Sequence, residues 1–309
     1  MKLGTNDIGS VYLGTNAVQK VYLGTNLVWS ASSLLLDTYT GAAAAYSLRK
    51  LRSGYSGNAI KVRRSVGSPA ETDIGFVDNE LDIATLESFC SGTDGFVTTW
   101  YDQSGNGYDA TQTTASNQPK IVSSGSVLTD SSGNPIIKYG SSPSVSYLVT
   151  STITMGNDEL TIFVYRNVQD SIQMVAELST STSTNTGSFY VSTYNGGYES
   201  PLSRGSATVS ATQKALFTTP TLGTRIVETD YHKISTDLTQ IYVNGTQGTD
   251  GTGDKGSGTF NDYPLYFGAR AGSVIPFTGF LSEFIMYKQN ELSNRTGIET
   301  NINDFYSIY

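Results

Sequence analysis

A ten-residue repeat at the start of the chain limits what this segment can fold into. The pattern Val-Tyr-Leu-Gly-Thr-Asn occupies residues 11–16 and 21–26, and a shorter copy, Leu-Gly-Thr-Asn, occupies residues 3–6. Gly and Asn tolerate positive φ, so each unit is expected to form a short strand and a turn. Three such units bury too little apolar surface to be stable alone. We therefore predict a small β-repeat stem over residues 1–29 that serves attachment or oligomerisation.

An alternative is that these units are simply the opening strands of the main domain, because β-sandwiches often begin with hairpins. The remainder, residues 30–309, is long enough for a large domain, and 38% of the whole chain is hydrophobic. Charged residues make up only 15% of the chain, and hydroxyl and amide side chains replace them. A surface of this kind suits sugar binding.

The charge balance argues against a nucleic-acid partner, because the net charge is −8 and phosphate binding requires clustered Lys and Arg. The one basic cluster, residues 61–64, fits a solvated strand face. Cys90 is the single cysteine, so no intrachain disulfide can form, and its apolar surroundings predict burial. No secretory signal peptide and no membrane-spanning run are expected.

Hydrophobic patterning predicts an all-β protein with a few short helices. Residues 119–289 contain short strand patterns separated by Gly, Asn, Asp and Ser clusters, which is typical of an antiparallel sandwich. The Ala run at 42–45 favours a helix near 41–52. A second helix is predicted after a cap at Asp78 or Asn79, and a third after a cap at Ser293. In the third, Ile298, Ile302 and Phe305 share the buried face.

The segment 98–112 has the sequence Thr-Thr-Trp-Tyr-Asp-Gln-Ser-Gly-Asn-Gly-Tyr-Asp-Ala-Thr-Gln. Together with residues 43–64 it resembles the catalytic domain of fungal α-L-arabinofuranosidase B and, more widely, concanavalin A-like (laminin-G-like) domains. The resemblance covers roughly residues 34–309 and implies a jelly-roll β-sandwich. The turn inside this motif is predicted to be structural, with a sugar contact by its first two residues as the alternative: Asp102, Gln103, Ser104, Gly105, Asn106 and Gly107.

Retaining glycosidases need two carboxyl groups about 5 Å apart. The resemblance implies an acid in the stretch matching residues 266–273, which contains no carboxylate, and a nucleophile for which residues 189–210 contain no matching motif. The sequence therefore predicts no catalytic residue and no enzyme activity by the family mechanism. The other carboxylates are expected mostly at solvent-facing strand positions: Glu177, Glu199, Glu228, Asp230 and Glu283.

Tyrosines followed by an amide indicate a sugar platform, because tyrosine rings stack on sugars and amides bond their hydroxyls. Tyr194, Asn195, Tyr198 and Arg270 are therefore predicted to bind carbohydrate. The alternative places Tyr190 and Tyr194 together in the core.

No metal site and no cofactor are predicted, since His232 is the single histidine and rules out a His-based metal cluster. The Gly- and Asp-rich loop 249–254 leaves Ca²⁺ binding open as an alternative, although a hairpin tip is the commoner explanation.

The N-terminal repeat looks like the stems of phage tail and head-fibre proteins, which are often trimeric. The combined interpretation is a bacteriophage virion surface protein, a homotrimeric fibre, spike or receptor-binding protein made in the bacterial cytoplasm. It would contact other virion proteins through residues 1–29 and bind a host or environmental glycan without hydrolysing it. Two alternatives remain: a divergent glycoside hydrolase acting on arabinose-containing polysaccharide, and a structural decoration protein with no ligand.

Overall fold

The computed structural model describes residues 34–67, 70–140, 144–167, 172–194, 197–218 and 220–309, together with the backbone of short N-terminal strands. The N-terminal strands are β1 (Lys2–Leu3), β2 (Asn6–Asp7), β3 (Val11–Leu13), β4 (Asn16–Val18), β5 (Lys20–Leu23) and β6 (Asn26–Ser30). Their described pairings form three separate hairpins, in which Leu3 pairs with Asn6, Leu13 with Asn16 and Leu23 with Asn26. The Asn of each Gly-Thr-Asn sequence thus begins the second strand of a hairpin. The role of residues 1–29 stays a prediction.

The main domain is built from antiparallel strands in two layers, which confirms the predicted β-sandwich. The first layer contains β7 (Ala42–Ser47), β16 (Ile137–Tyr139), β18 (Glu159–Asn167), β24 (Arg225–Lys233), β25 (Leu238–Val243), β26 (Thr246–Gln247) and β28 (Gly279–Tyr287). Its central strand β18 pairs with β24 on one side and with β28 on the other.

The second layer contains most of the remaining strands. Its strands are β8 (Ile60–Arg64), β9 (Glu71–Ile74), β12 (Gly95–Trp100), β13 (Ala110–Thr111), β14 (Lys120–Ser123), β15 (Ser126–Val127), β17 (Leu148–Ile153), β19 (Gln173–Leu178), β20 (Ser188–Tyr194), β21 (Tyr198–Glu199), β22 (Leu202–Arg204), β23 (Phe217–Thr218) and β27 (Tyr263–Phe267). The remaining elements are the hairpin β10 (Phe76–Val77) and β11 (Glu80–Leu81), the helices α1 (Leu35–Thr38), α2 (Ile83–Phe89) and α3 (Arg295–Tyr306), and two 3-10 turns, Ala115–Asn117 and Ala211–Gln213.

Alternation along β18 shows how the layers pack. Ile162 and Val164 belong to the large core cluster between the layers, whereas Phe163 belongs to a second cluster that includes Ile298 and Ile302 of α3. Side chains of a strand alternate between its faces, so one strand contributes to both clusters. The C-terminal helix therefore covers the outer face of the first layer, as its apolar spacing predicts. No helix in the described part of the chain has the length and apolarity needed to span a membrane.

The helix predicted near residues 41–52 is wrong, because the Ala run forms strand β7. All six residues of β7 are buried, and the strand pairs with β28 along its length. Pairing in a buried sheet outweighs the helix propensity of Ala, whose advantage over most other residues is on the order of 0.5 kcal/mol per residue. The second helix begins later than predicted, at Ile83, and Asp82 caps it by accepting a bond from the Thr85 N–H.

The motif at residues 102–107 forms a self-bonded turn against β7. The Asp102 carboxylate accepts hydrogen bonds from the backbone N–H groups of Ala45 at 2.9 Å, Ser104 at 2.9 Å and Tyr108 at 3.1 Å. Gln103 bonds the backbone at the end of β7 and just beyond it, since its amide donates to the Ser47 carbonyl and its oxygen accepts from the Leu51 N–H. Asp102 and Gln103 are both buried. Their polar atoms therefore connect two segments of backbone that lie far apart in sequence.

Candidate functional site

Three neighbouring side chains form a row on the outer face of the second layer. In register, Glu177 lies between Tyr266 of β27 and Tyr190 of β20. The next row along, which includes Leu178 and Phe189, belongs to the core between the layers. Since alternate residues of a strand point to opposite faces, Tyr266, Glu177 and Tyr190 point away from the core. We call these three residues the Tyr–Glu row.

The Glu177 carboxylate is buried in the face and held by two donors. Its Oε2 accepts from the Arg270 Nε at 2.8 Å, and its Oε1 accepts from the Thr182 backbone N–H at 2.6 Å. Arg270 lies 5.9 Å from the centroid of the Tyr190 ring, and its side chain is 16% exposed. The terminal Nη groups of Arg270 make no hydrogen bond to any residue in the described ranges. The Nε of the guanidinium therefore contacts the Tyr–Glu row, while its Nη groups are available to solvent or a ligand.

A tight loop after β27 positions Arg270. Its N–H donates to the Val274 carbonyl at 2.8 Å, and the Val274 N–H donates back to the Arg270 carbonyl at 3.0 Å. Gly272 in this loop has φ +73, and a Cβ there would lie 2.6 Å from the Tyr147 ring. A side chain at this position would strain the backbone and displace the Tyr147 ring, so glycine is favoured. The same loop contributes Ile275, which packs on the cluster containing Tyr190.

A second cation lies near Arg270. Burial lowers the pKa of the Lys214 ammonium, and the nearby positive charge of Arg270 lowers it further. Val209, in the segment before Lys214, packs against the Tyr190 cluster, as Ile275 does. The loops that contain Arg270 and Lys214 thus border Tyr190, next to the single buried carboxylate of the row.

Of the residues predicted to bind sugar, the structure places Arg270 beside Tyr190 and Glu177. Tyr194 ends β20 and pairs in register with Tyr198 of β21. Asn195 lies outside the described residues. The carbohydrate-binding assignment of these residues remains a prediction. Glu177 was missed by the sequence reasoning, although a single Glu within the apolar run 174–178 is a signal for a buried, partnered carboxylate.

The expectation of solvent-facing carboxylates is wrong for the five acids considered. Each of them is buried in the structure: Glu177, Glu199, Glu228, Asp230 and Glu283. The reason is that alternation along β24 directs Glu228 and Asp230 into the space between the layers, where Arg166 of β18 neutralises charge. Glu283 is likewise paired with Arg49, at 2.8 Å, beneath α3.

Two of these acids share one guanidinium. The Nη2 of Arg166 donates to Glu199 and to the Oε2 of Glu228, the latter at 2.5 Å, and the Arg166 Nε donates to the same Glu228 oxygen at 2.9 Å. Asp230 and His232 lie on the same face of β24, and their polar side-chain atoms have no hydrogen-bond partner within the described chain. We call Arg166, Glu199, Glu228, Asp230 and His232 the interior acid cluster.

Burial sets the proton affinity of this cluster. Loss of solvation, helped by the charge of Glu199 and opposed by Arg166, raises the pKa of Glu228 to about 7. Burial and the neighbouring Glu228 raise the pKa of Asp230 well above its usual range. Burial and the charge of Lys255 hold the pKa of His232 well below its usual range. The described residues contain no group of three or more His, Cys, Asp or Glu side chains placed to hold a metal ion.

The raised pKa of Glu228 predicts a pH-dependent contribution to stability. The folded protein binds this proton more tightly than the unfolded chain, so the contribution is complete below about pH 4.5 and is lost as pH rises through about 7. The loss amounts to up to roughly 3 kcal/mol. We expect Glu228→Gln to flatten the decline in the free energy of unfolding between pH 4.5 and 8, measured by urea denaturation.

Glu71→Gln, on the exposed edge strand β9, is the control and should follow the wild-type profile. Parallel profiles for Glu228→Gln and wild type would contradict the assignment.

Comparisons with known proteins agree with the fold and identify a family. The family model described as "Alpha-L-arabinofuranosidase B, catalytic" matches residues 35–190, just over half of the chain. This segment includes the structural turn at 102–107 and two members of the Tyr–Glu row, Glu177 and Tyr190. A search of curated proteins found no match.

Solved structures with the same fold include three arabinofuranosidase structures. One, complexed with arabinofuranosyl-α-1,2-xylobiose, has a TM-score of 0.66 and 16% identity. A second, a glutamate-to-glutamine mutant of a GH54 α-L-arabinofuranosidase soaked with 4-nitrophenyl α-L-arabinofuranoside, has a TM-score of 0.65 and 15% identity. A third, soaked with a cyclic sulfate inhibitor, has a TM-score of 0.63 and 15% identity. Each comparison covers 87% of this chain and 64% of the other, so this chain spans less than two thirds of those proteins.

The family match corrects the functional interpretation. The prediction of a phage virion protein that binds glycan without hydrolysing it is wrong, and so is the prediction that the chain is not an enzyme, because the matching family is one of glycosidase catalytic domains. Nothing in the comparisons supports a fibre-type repeat, a virion location or a trimer. The resemblance of residues 98–112 to this family is confirmed. The absence of the family carboxylates from residues 189–210 and 266–273 was not sufficient ground to predict that the chain is no enzyme.

Proposed function

Because the chain belongs to the α-L-arabinofuranosidase B catalytic-domain family, we propose that it is a glycoside hydrolase that cleaves α-L-arabinofuranosides at the Tyr–Glu row. The observation that supports this most directly is the position of Glu177. It lies within the matched segment, on the outer face of the second layer, and has a tyrosine on each side in register. Tyrosine rings provide contact surface for a sugar, and the carboxylate provides the charge that glycoside cleavage requires.

Glu177 is suited to stabilise positive charge at the sugar ring. Glycosidase transition states resemble an oxocarbenium ion, so a fixed carboxylate close to the anomeric carbon lowers their energy. The bonds from Arg270 and Thr182 orient the carboxylate and occupy one acceptor site on each oxygen. A carboxylate has about four acceptor sites in all. Arg270 is therefore a positioning residue, and movement of its side chain, which is partly exposed, would uncover Glu177 for the substrate.

The site departs from the two-carboxyl pattern, because Arg270 occupies the stretch in which the resemblance implies an acid. A departing sugar alkoxide needs a proton from such an acid, whereas a nitrophenolate leaves without one. Hydrolysis of aryl arabinofuranosides therefore tests the role of the Glu177 carboxylate without requiring a proton donor. Glu199 and Glu228 are two carboxylates close to each other, because both pair with the Nη2 of Arg166. They lie between the layers, however, and are fully buried. We therefore assign Glu199 and Glu228 a structural role and not a catalytic one.

The proposal is tested with the purified full chain and two classes of substrate. We expect release of 4-nitrophenol from 4-nitrophenyl α-L-arabinofuranoside, and slower release of arabinose from arabinofuranosyl-substituted xylo-oligosaccharides. The 4-nitrophenyl β-D-glucopyranoside serves as the control for nonspecific hydrolysis. Absence of product from both arabinosides, over a pH range of about 4 to 8 and with a folded protein by circular dichroism, would overturn the proposal.

A further inference from the structure

A row of cations crosses the outer face of the second layer at a distance along the sheet from the Tyr–Glu row. In register, Arg63 of β8, Phe96 of β12 and Lys120 of β14 are successive neighbours. Lys120 pairs in turn with Lys138 of β16, the strand of the first layer that continues the sheet from β14 to β28. The adjacent inward row includes Val62 and Val97, which belong to the core. The four side chains therefore lie on one surface that faces away from the core.

Phe96 holds two of these cations in place. The Arg63 guanidinium carbon lies 4.8 Å from the ring centroid, and the Lys120 ammonium lies 5.5 Å from it. Cations at these distances are attracted to the ring. Arg63 also donates to the Gln118 Oε1 at 2.7 Å, which fixes its orientation. The basic cluster at residues 61–64 was interpreted from sequence as a solvated strand face. One of its side chains, Arg63, is held in place by Phe96 and Gln118.

A cleft of about 490 Å³ opens beside this row. Its volume lies within the range of small-molecule sites, roughly 300–1,000 Å³. The lining mixes positive charge with hydroxyl and amide groups that match sugar hydroxyls, and it includes Asp94, Phe96, Ser116, Gln118, Lys120 and Lys138. We call this the Phe96 cleft.

The charge of the Phe96 cleft is positive, although the protein as a whole has a net charge of −8. Asp94 is the one carboxylate among the lining residues, and it pairs with Lys120 at 2.7 Å. The exposed Lys138 has no ion-pair or hydrogen-bond partner in the described part of the chain. An unneutralised ammonium in a cleft of this kind favours an anionic ligand.

We propose that the Phe96 cleft binds the carboxylate of a uronic-acid residue in an acidic glycan, with Lys138 and Lys120 as its cationic contacts. Hydroxyl and amide groups of the lining bond the sugar hydroxyls. The site is separate from the Tyr–Glu row and does not depend on hydrolysis. It would retain acidic polysaccharide on the same face at which we propose cleavage. A sugar ligand is favoured over nucleic acid because the overall charge repels a polyanion as dense as DNA.

The test measures binding of the full chain to a galacturonic-acid oligomer and to a neutral galactose oligomer of equal length, by titration calorimetry at low salt. We expect roughly tenfold or more tighter binding of the acidic oligomer, weakened by about 0.5 M NaCl because salt screens the charges. Lys138→Gln should lower that affinity roughly fivefold or more, because an exposed lysine is removed without disturbing the core. Lys50→Gln, the same charge change outside the cleft, should leave the affinity unchanged.

Several outcomes would overturn the proposal. These are equal affinity for the two oligomers, equal effects of Lys138→Gln and Lys50→Gln, or single-stranded DNA binding as tightly as the acidic oligomer. Turnover of 4-nitrophenyl α-L-arabinofuranoside should be the same in Lys138→Gln and wild type. Loss of acidic-glycan binding and loss of hydrolysis are thereby distinguished, so failure of either proposal leaves the other intact.

Discussion

Replacing Glu177 by Gln is expected to lower the turnover of 4-nitrophenyl α-L-arabinofuranoside by roughly 100-fold or more, because the transition state loses the negative charge that stabilises it. The substitution keeps the size of the side chain and an acceptor oxygen for the Thr182 N–H. It removes the charge that holds Arg270. The decisive quantity is kcat, since a binding role alone would raise KM and leave kcat unchanged.

Glu159→Gln is the matched control for this experiment. Glu159 lies on β18 in the other layer, where its carboxylate accepts from Lys233 at 3.1 Å and from Tyr231 at 2.9 Å at a partly exposed edge. The same chemical change there should leave kcat within about twofold of wild type, because a partly exposed ion pair contributes little. If Glu177→Gln is folded and turns over at the wild-type rate, Glu177 is not the catalytic carboxylate.

Replacing Asp102 by Ala is expected to lower the free energy of unfolding by roughly 3–6 kcal/mol, because several backbone donors lose their acceptor at once. The carboxylate accepts from the N–H groups of Ala45, Ser104 and Tyr108 and from the Ser104 hydroxyl, and its side chain is almost completely buried. Water cannot readily replace it at Ala45, which is fully buried. Urea denaturation at neutral pH measures the difference.

Asp73→Ala provides the comparison for Asp102→Ala. The Asp73 side chain is 42% exposed, accepts from the Tyr101 hydroxyl at 2.7 Å and lies 3.9 Å from the Lys61 ammonium. Its loss should cost about 1 kcal/mol or less, since its partners regain water. A cost for Asp102→Ala no larger than that for Asp73→Ala would contradict the view that this turn connects β7 to the neighbouring loop through buried hydrogen bonds.

Much of the fold could be predicted because the apolar patterning is local. The spacing of Ile298 and Ile302 reports which face of the C-terminal helix is buried, and the structure confirms it. The Ala run at 42–45 led to the wrong prediction of a helix. Four consecutive Ala residues show no alternation of apolar and polar residues, so the pattern does not distinguish a strand from a helix. Pairing of β7 with β28, which lies far away in sequence, decides its conformation.

The candidate site was harder to predict because its members are brought together by strand register. Tyr190, Glu177 and Tyr266 come from three separate strands, and no spacing in the sequence makes them neighbours. The motif at 98–112 identified the family but lies in a structural turn. The burial of Glu199 and Glu228 depends on Arg166, and an ion pair across separate strands has no local signature.

The amino-acid sequence alone determined the fold class, the C-terminal helix and the family, because each depends on patterns of residues close together in the chain. The tertiary structure alone decided which carboxylates are buried, where Arg270 points, and that Arg63, Phe96, Lys120 and Lys138 form one surface. These properties arise from the alignment of distant strands, and shifting one strand by a single residue would move each of its side chains to the opposite face.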